Sequence, residues 1–322
     1  MYVVTGGAGF IGSVFIKKLN QEGIDEIIVV DELRDSPKWL NLIGKQFVEY
    51  VHKDQFLEHL EAGKYRGQIS CVVHMGACSS TTEEDGDYLM RNNFDYSRTL
   101  CEYCLDQSVR FIYASSAAVY GDGTQGFNDD DQLTNTYKPL NRYGFSKQLF
   151  DLWCIRKKIT DSVVGLRFFN VYGPNEAHKG SMRSVIHKAY YQLKKEGKIS
   201  LFRSYRPEYN DGEQKRDFIY VKDCAEALWW FTNHSRTNGI FNLGTGNARS
   251  WNDVANALCK ALGTPPAIEY VDMPDNLVQQ YQYFTEANIS ILEASGCPLP
   301  STSLEQGVED YVKHHLETDL SF

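Results

Sequence analysis

Short runs of apolar, β-branched residues punctuate the first half of the chain: YVVT at 2–5, EIIVVD at 26–31, SCVVH at 70–74, VRFIYASS at 109–116 and VVGLRFFN at 163–170. The runs are continuous rather than alternating. Strands that are apolar on both faces need cover on both, and a parallel sheet with helices above and below supplies it. Between the first two runs lies GSVFIKKLNQEG, with apolar residues at 15, 16 and 19 and a stop at Gly23. That pattern predicts a helix and makes strand, helix, strand the repeating unit. The expected fold class is α/β, a Rossmann-type doubly wound parallel sheet.

After residue 170 the alternation loosens. SMRSVIHKAYYQLKKEG at 181–197 predicts one helix, ISLF a short strand, and RSYRPEYNDGEQ at 203–214 a polar, turn-rich insertion. Regularity returns with RDFIYV leading into KDCAEALWWF. GIFNLGTG predicts a strand closed by a glycine turn, and Ser250 with Asp253 makes an S-x-x-D cap on WNDVANALCKALG. The expected division is a dinucleotide-binding domain from 1–170 plus about 217–248, and a smaller, discontinuous α/β substrate-binding domain from about 171–216 plus 249–322.

Composition narrows the function classes. The 33 Lys+Arg against 42 Asp+Glu give a net charge of −9, with no run of five or six like charges, which argues against nucleic acid and anionic membranes as partners. Eight cysteines include one C-x-x-C, Cys101 and Cys104, inside the helical-looking RTLCEYCLD; without a second pair at zinc-like spacing they read as reduced thiols on one helix face, and no metal site is expected. The first apolar run starts at residue 2, leaving no room for a secretory signal, and the densest apolar stretch, EALWWF, is too short to span a bilayer. A cytoplasmic location is expected.

Candidate chemistry begins at VVTGGAGFIGS, where Gly6-x-x-Gly9-x-x-Gly12 follows a strand and opens a helix. Glycines there permit a tight turn and let backbone N–H groups approach a pyrophosphate. Asp31 ends the second strand 19 residues after Gly12, close to the distance expected for an acid that takes a ribose hydroxyl. A carboxylate repels a 2′-phosphate, so NADP over NAD would require nearby cations, for which Arg34, Lys38 and Lys53 are the candidates.

NRYGFSK places Tyr143 and Lys147 one turn apart on one helix face. A tyrosine titrates near 10, so serving as a base near neutrality takes about 4 kcal/mol of added preference for phenolate. A nearby Lys⁺ and an oxidised nicotinamide are sources of it. YASSAAVYG supplies Ser115 and Ser116 at a strand end, with Ser116 able to hydrogen-bond the same substrate oxygen. In GPNEAHKGSM, 173–182, His178 and Lys179 form a basic pair in a glycine-flanked loop.

With TGGAGFIG, the serine-bearing strand end, YxxxK, FNVYGP, RDFIYV and NLGTG in place, the chain resembles the nucleotide-sugar enzymes of the extended short-chain dehydrogenase/reductase family. GACSSTTE (76–83), RFFNVYGPNEAHKGSM and YQYFTEA narrow the resemblance, over about residues 2–313, to its heptose-epimerase branch. The resemblance implies inversion at C6 of the heptose in an ADP-heptose, through transient oxidation to a ketone and re-reduction on the opposite face, for lipopolysaccharide core precursors. It implies NADP, with NAD the lesser alternative, held by Phe10, Ile11, Asp31, Glu32, Lys38, Lys53, Met75, Gly76, Ala77, Cys78, Ser79, Asn92, Lys147, Val171 and Lys179. On the substrate side it implies Asn170, Ser181, Lys188, Phe202, Arg203, Arg216 and Tyr281, with the Arg216 fork suited to a pyrophosphate. Two departures stand out: Met75 replaces a common acid, and Lys188 falls where a histidine would align, with His187 one residue early.

Turning a ketone over in its pocket calls for a proton-transfer group at each orientation, so Tyr143 leaves a vacancy that Lys179 could fill, and His178 is a neighbour rather than a base. The resemblance also implies a homo-oligomer, a homopentamer. Within the same family a 4,6-dehydratase would want an acid pair near the serines, and SSAAVYG has none. A redox-dead dinucleotide sensor should have lost the Ser/Tyr/Lys set, which is intact. A plain carbonyl reductase shares these residues and differs in releasing its cofactor.

Overall fold

The computed structural model describes residues 1–274, 281–318 and 320–322. Its centre is a seven-stranded sheet, all parallel, in the order β10-β6-β5-β4-β1-β2-β3. The strands are β1 (Tyr2–Thr5), β2 (Ile27–Asp31), β3 (Glu49–His52), β4 (Cys71–His74), β5 (Arg110–Ser116), β6 (Val164–Phe168) and β10 (Gly239–Leu243). The order reverses between β1 and β4, creating the crevice at the strand C-termini where this topology binds ligands. The doubly wound α/β expectation is met.

Both faces of the sheet are dry. Val4, Val29 and Val73 pack against Phe15, Ile16 and Leu19 of helix α1 (Phe10–Gln21) and Leu228 and Phe231 of helix α7 (Val221–Asn233). Val3, Ile28, Val30 and Val72 face the other way, onto Phe56 of α2 (Lys53–Glu61), Leu100, Cys101 and Cys104 of α4 (Tyr96–Asp106) and Phe150 and Cys154 of α5 (Arg142–Lys157). Alternate residues of each strand thus serve opposite layers, which is why the runs show no alternation of apolar and polar positions. Cys101 and Cys104 are buried free thiols on α4.

Three expectations shift. The run 163–170 is not one strand: β6 ends at Phe168, and Asn170–Tyr172 (β7) joins a second, three-stranded sheet, β11-β9-β7, with β9 (Lys215–Tyr220) and β11 (Ala248–Ser250). Residues 217–220 therefore lie in that second sheet, while α7 and β10 join the first layer. The helix expected over 181–197 starts only at Val185 (α6, Val185–Glu196), because Ser184 caps it by accepting from the His187 N–H, 3.2 Å, and Gly180, at φ 55°, breaks the 3-10 turn Ala177–Met182 before it. The Ser250 capping box is present at the start of α8 (Trp251–Leu262). β8 (Ile199–Phe202) pairs with β12 (Ile268–Val271), and these join α6, α8, β9 and the helix Leu304–Tyr311 around a separate apolar core. No helix among the described residues is long and apolar enough to cross a membrane.

Candidate functional site

The C-terminal ends of β1, β2, β4, β5 and β6 open on one cavity of about 560 Å³. After β1 the backbone turns at Gly6, φ 63°, and the opening of α1 comes so close that a Cβ on Gly12 would lie 2.3 Å from the Gly6 carbonyl. Gly9, at the N-cap of α1, offers no side chain to the helix's first N–H groups. Gly6, Gly9, Phe10, Ile11 and Gly12 all line the cavity, so a helix N-terminus with free donors faces it, as a pyrophosphate requires.

Asp31 sits at the end of β2, buried, its carboxylate accepting from Ala8 N (2.8 Å), Glu32 N (2.7 Å) and Lys38 Nζ (2.6 Å). Lys53 reaches Glu32 at 3.2 Å and Asn92 Oδ1 at 2.7 Å. Burial pushes the Glu32 carboxyl up, but Arg34 and Lys53 beside it outweigh burial and hold it low. Three cations thus ring two carboxylates at one end of the cavity.

The segment Met75–Ser79 follows β4 and is pinned from below. Gly76 N donates to Thr5 Oγ1 at 3.0 Å, and Asn93 grips Cys78 at both backbone groups, 2.8 and 2.9 Å, while donating to Ser146 Oγ on α5 at 3.0 Å. Buried His74 bridges Thr5 Oγ1 (2.6 Å) and Ser97 Oγ (2.8 Å), and burial lowers its pKa to about 3, leaving a neutral ring.

Ser116 ends β5, and Tyr143 and Lys147 come up from α5, which Asn141 caps by accepting from Gly144 N at 2.8 Å. Lys147 is buried and donates to Ala114 O at 2.8 Å; burial drops its pKa to about 8, partly offset by the Asp151 carboxylate. Burial raises the Tyr143 phenol, and its hydrogen-bonded neighbour Ser116 pulls the other way. The Lys147 ammonium, one turn along the helix from Tyr143, is directed at the Ala114 carbonyl. From the far side, Lys179 stands 5.4 Å over the Phe10 ring, its pKa lowered by burial against the charge of Glu176. His178 accepts from Asn41 Nδ2 at 3.2 Å and is held neutral, near 4, by burial and the charges of Lys179 and Lys38.

Every residue expected to act on protons (Ser116, Tyr143, Lys147, Lys179) lines this cavity, as does every residue expected to hold the cofactor, from Gly6 through Asn92 to Val171. The expected substrate residues do not. Asn170 is exposed on β7, between the cavity-lining Phe169 and Val171; Ser181 is exposed in the Lys179 turn; Arg203 is 52% exposed and pairs with Asp211 at 3.3 Å. Phe202, Arg216 and Tyr281 meet elsewhere: Arg216 lies over the rings of Tyr281 (5.3 Å) and Trp251 (5.6 Å), and Phe202 meets Tyr281 edge-on. His187 and Lys188 separate cleanly. His187 is 2% exposed, packed on Tyr191 and Tyr311, whereas Lys188 faces solvent. Sequence reasoning missed Tyr88 and Met182 in the cavity wall and the network around Asp151 behind it; the last was discoverable by extending the Tyr143/Lys147 face one more turn. Among the described residues no group of three or more His, Cys, Asp or Glu is placed to hold a metal.

A parallel sheet with a glycine-rich first crossover, and a Tyr/Lys helix facing the same crevice, define a dinucleotide-dependent enzyme of the short-chain dehydrogenase type. The profile of the NAD dependent epimerase/dehydratase family matches residues 2–244, and the chain belongs to that family. It is 56% identical over 316 residues to the ADP-L-glycero-D-manno-heptose-6-epimerase of Nitratidesulfovibrio vulgaris, covering 98% of each chain. Among solved structures, the ADP-L-glycero-D-manno-heptose-6-epimerase of Helicobacter pylori superposes with a TM-score of 0.83 at 29% identity, over 97% of this chain and 95% of that one. The UDP-glucose 4-epimerase of Thermus thermophilus, solved with NAD, gives a TM-score of 0.74 at 26% identity, over 97% and 98%.

Proposed function

We propose that this chain is an epimerase that converts ADP-D-glycero-D-manno-heptose to ADP-L-glycero-D-manno-heptose by inverting C6, in the cytoplasmic synthesis of lipopolysaccharide core precursors. The observation that carries the reading is that Tyr143 and Lys179 enter one cavity from separate elements, α5 and the 177–182 turn, beside the glycine cradle of α1. The near identity of length and the 56% match to the Nitratidesulfovibrio relative support the substrate.

A nicotinamide dinucleotide, when bound, would supply a reversible two-electron acceptor and, in its oxidised form, a positive charge. Tyr143 takes the proton of the C6 hydroxyl as that carbon is oxidised, with Ser116 hydrogen-bonded to the same oxygen. After the ketone turns over, Lys179 supplies a proton of its own to the oxygen from the other side, and exchange with solvent removes the proton from Tyr143 and restores the Lys179 ammonium for the next turnover. Its burial-lowered pKa makes the ammonium a better acid near neutrality. Lys147 fixes Ala114 O and lends its charge to the phenolate. The family takes a nicotinamide dinucleotide, and NADP is the form favoured here, with Lys38 and Lys53 offsetting Asp31 and Glu32 so that a 2′-phosphate is tolerated.

Arg216, stacked on Tyr281 and Trp251 near Phe202, is the diphosphate and base end of the substrate site, and Arg203, Asn170, Ser181 and Lys188 are the remaining substrate contacts of the same reading. The cofactor domain takes residues 1–169 with about 221–247, and the substrate domain 170–220 with 248–322. Self-association to a homopentamer belongs to the same reading and is read by sedimentation equilibrium. The decisive experiment incubates the purified protein with ADP-D-glycero-D-manno-heptose, without added cofactor, and follows C6 by NMR. Inversion is expected, and its absence from protein that carries bound cofactor overturns the reading.

A further inference from the structure

Behind the cavity wall lies a buried charge network that none of the roles above uses. Asp151, one turn beyond Lys147 on α5, is fully buried, and its carboxylate accepts from Ser115 Oγ (2.8 Å), Tyr113 OH (3.0 Å) and Arg167 Nε (2.9 Å). Arg167, equally buried on β6, directs its two terminal nitrogens at Tyr120 OH (3.0 Å) and Thr134 Oγ1 (2.8 Å). A buried ion pair of this kind is a poor source of net stability, since apolar residues of the same volume often serve as well or better. Its position suggests what else it does.

Two successive residues of β5 are gripped by successive turns of one helix. Lys147 holds the Ala114 carbonyl, Asp151 holds the Ser115 hydroxyl, and the next residue, Ser116, reaches the Tyr143 phenol. The groups at i, i+4 and i+8 of α5 therefore set the register of the strand end that carries the reaction centre. We propose that Asp151 is a positioning residue: it clamps the end of β5 to α5 in step with Lys147 and sets a fixed negative charge one turn from the Lys147 ammonium.

The proposal rests on the reading of Tyr143 and Lys147 as the redox centre. The titratable groups around Lys147 are His74 on β4, Cys78 in the segment after it, and Tyr143 and Asp151 on its own helix; Tyr113 of β5 and Arg167 of β6 face Asp151. His74 is neutral over the working range, so the Asp151/Arg167 pair governs the local field.

Opposite substitutions then act in opposite directions. In Asp151→Asn the lost carboxylate favours neutral Lys147, and the limb on which turnover falls with rising pH moves down by roughly one pH unit. Arg167→Met unmasks the carboxylate and moves the same limb up, and Asp151→Glu restores the native position. A pair that only supports the fold lowers the melting temperature in both variants and leaves the limb where it was, which overturns the proposal. The tyrosinate absorbance of the holoenzyme, taken as native protein minus Tyr143→Phe, needs no sugar: its midpoint should fall in Asp151→Asn, where a nearby negative charge is lost, and rise in Arg167→Met even if the heptose reading fails. Inversion in the native enzyme with an unmoved tyrosinate midpoint spares the heptose reading and sinks this one. Should Asp151→Asn not fold, Ser115→Ala keeps the ion pair intact. It should cut kcat roughly tenfold at unchanged KM, and native kcat in that variant removes the clamp.

Discussion

The two ends of the proposed site are built differently. At the cofactor end, residues scattered from Gly6 to Asn92 converge because most of them close a parallel strand or open the turn or helix after it, and the sheet register fixes where those points fall. At the substrate end, Phe202, Arg216, Trp251 and Tyr281 come from β8, β9, α8 and the strand-like segment near Phe284, and they meet only because those elements pack together. The first end is positioned by main-chain hydrogen bonds and tolerates little change in backbone. The second is positioned by side-chain packing and should tolerate change in kind but lose affinity in degree. Lys179 joins the two: Asn41 donates to Ala8 O at 3.0 Å and to Asn175 O at 3.1 Å, tying its loop to the glycine turn.

The hardest test of that contrast removes a proton-transfer group from either side of the cavity. Tyr143→Phe and Lys179→Met should each slow C6 inversion by about 10²- to 10⁴-fold, with bound cofactor retained, as read by NMR and by cofactor content after gel filtration. Native turnover in Lys179→Met would return that lysine to being a loop cation. A smaller effect is expected at the packed end. Arg216→Met should raise KM for the ADP-sugar about 10- to 100-fold, the worth of a charge-assisted contact, and leave cofactor affinity untouched. If cofactor affinity falls as well, the two ends are not separable.

Next come the cations at the other end. Lys38→Ala and Lys53→Ala should each weaken NADP about tenfold while sparing NAD, and equal losses for both cofactors would end the 2′-phosphate assignment. The mildest perturbation is pH, which touches both ends. His74 near 3 and His187 near 4 are held below their ordinary value by burial, so the unfolded chain binds more protons between those values and about 6.5. Stability should therefore fall as pH drops through that window, by up to about 1.4 kcal/mol per pH unit for each ring. His74→Phe should flatten part of the slope, measured by urea midpoints across the range.

Much of this was legible beforehand. Continuous apolar runs announced strands buried on both faces; Gly6, Gly9 and Gly12 announced the crossover; Tyr143-x-x-x-Lys147 announced a helix face. Each is a local pattern enforced by backbone geometry, so neighbours in sequence suffice to read it. Boundaries that depend on packing were less legible, such as the break at Phe169 that sends β7 to a second sheet, or the start of α6 at its Ser184 cap.

By itself the sequence determined the parallel sheet, the dinucleotide cradle and the serine, tyrosine and lysine set, because these follow from periodicity and from residues fixed within a turn or two of one another. Only the tertiary structure decided that Lys179 enters the cavity of Tyr143, that His187 turns into the core while Lys188 faces water, and that Asp151 meets Arg167 behind Ser115. Those outcomes depend on which distant surfaces exclude water together, and burial of that kind has no signature within a short stretch of chain.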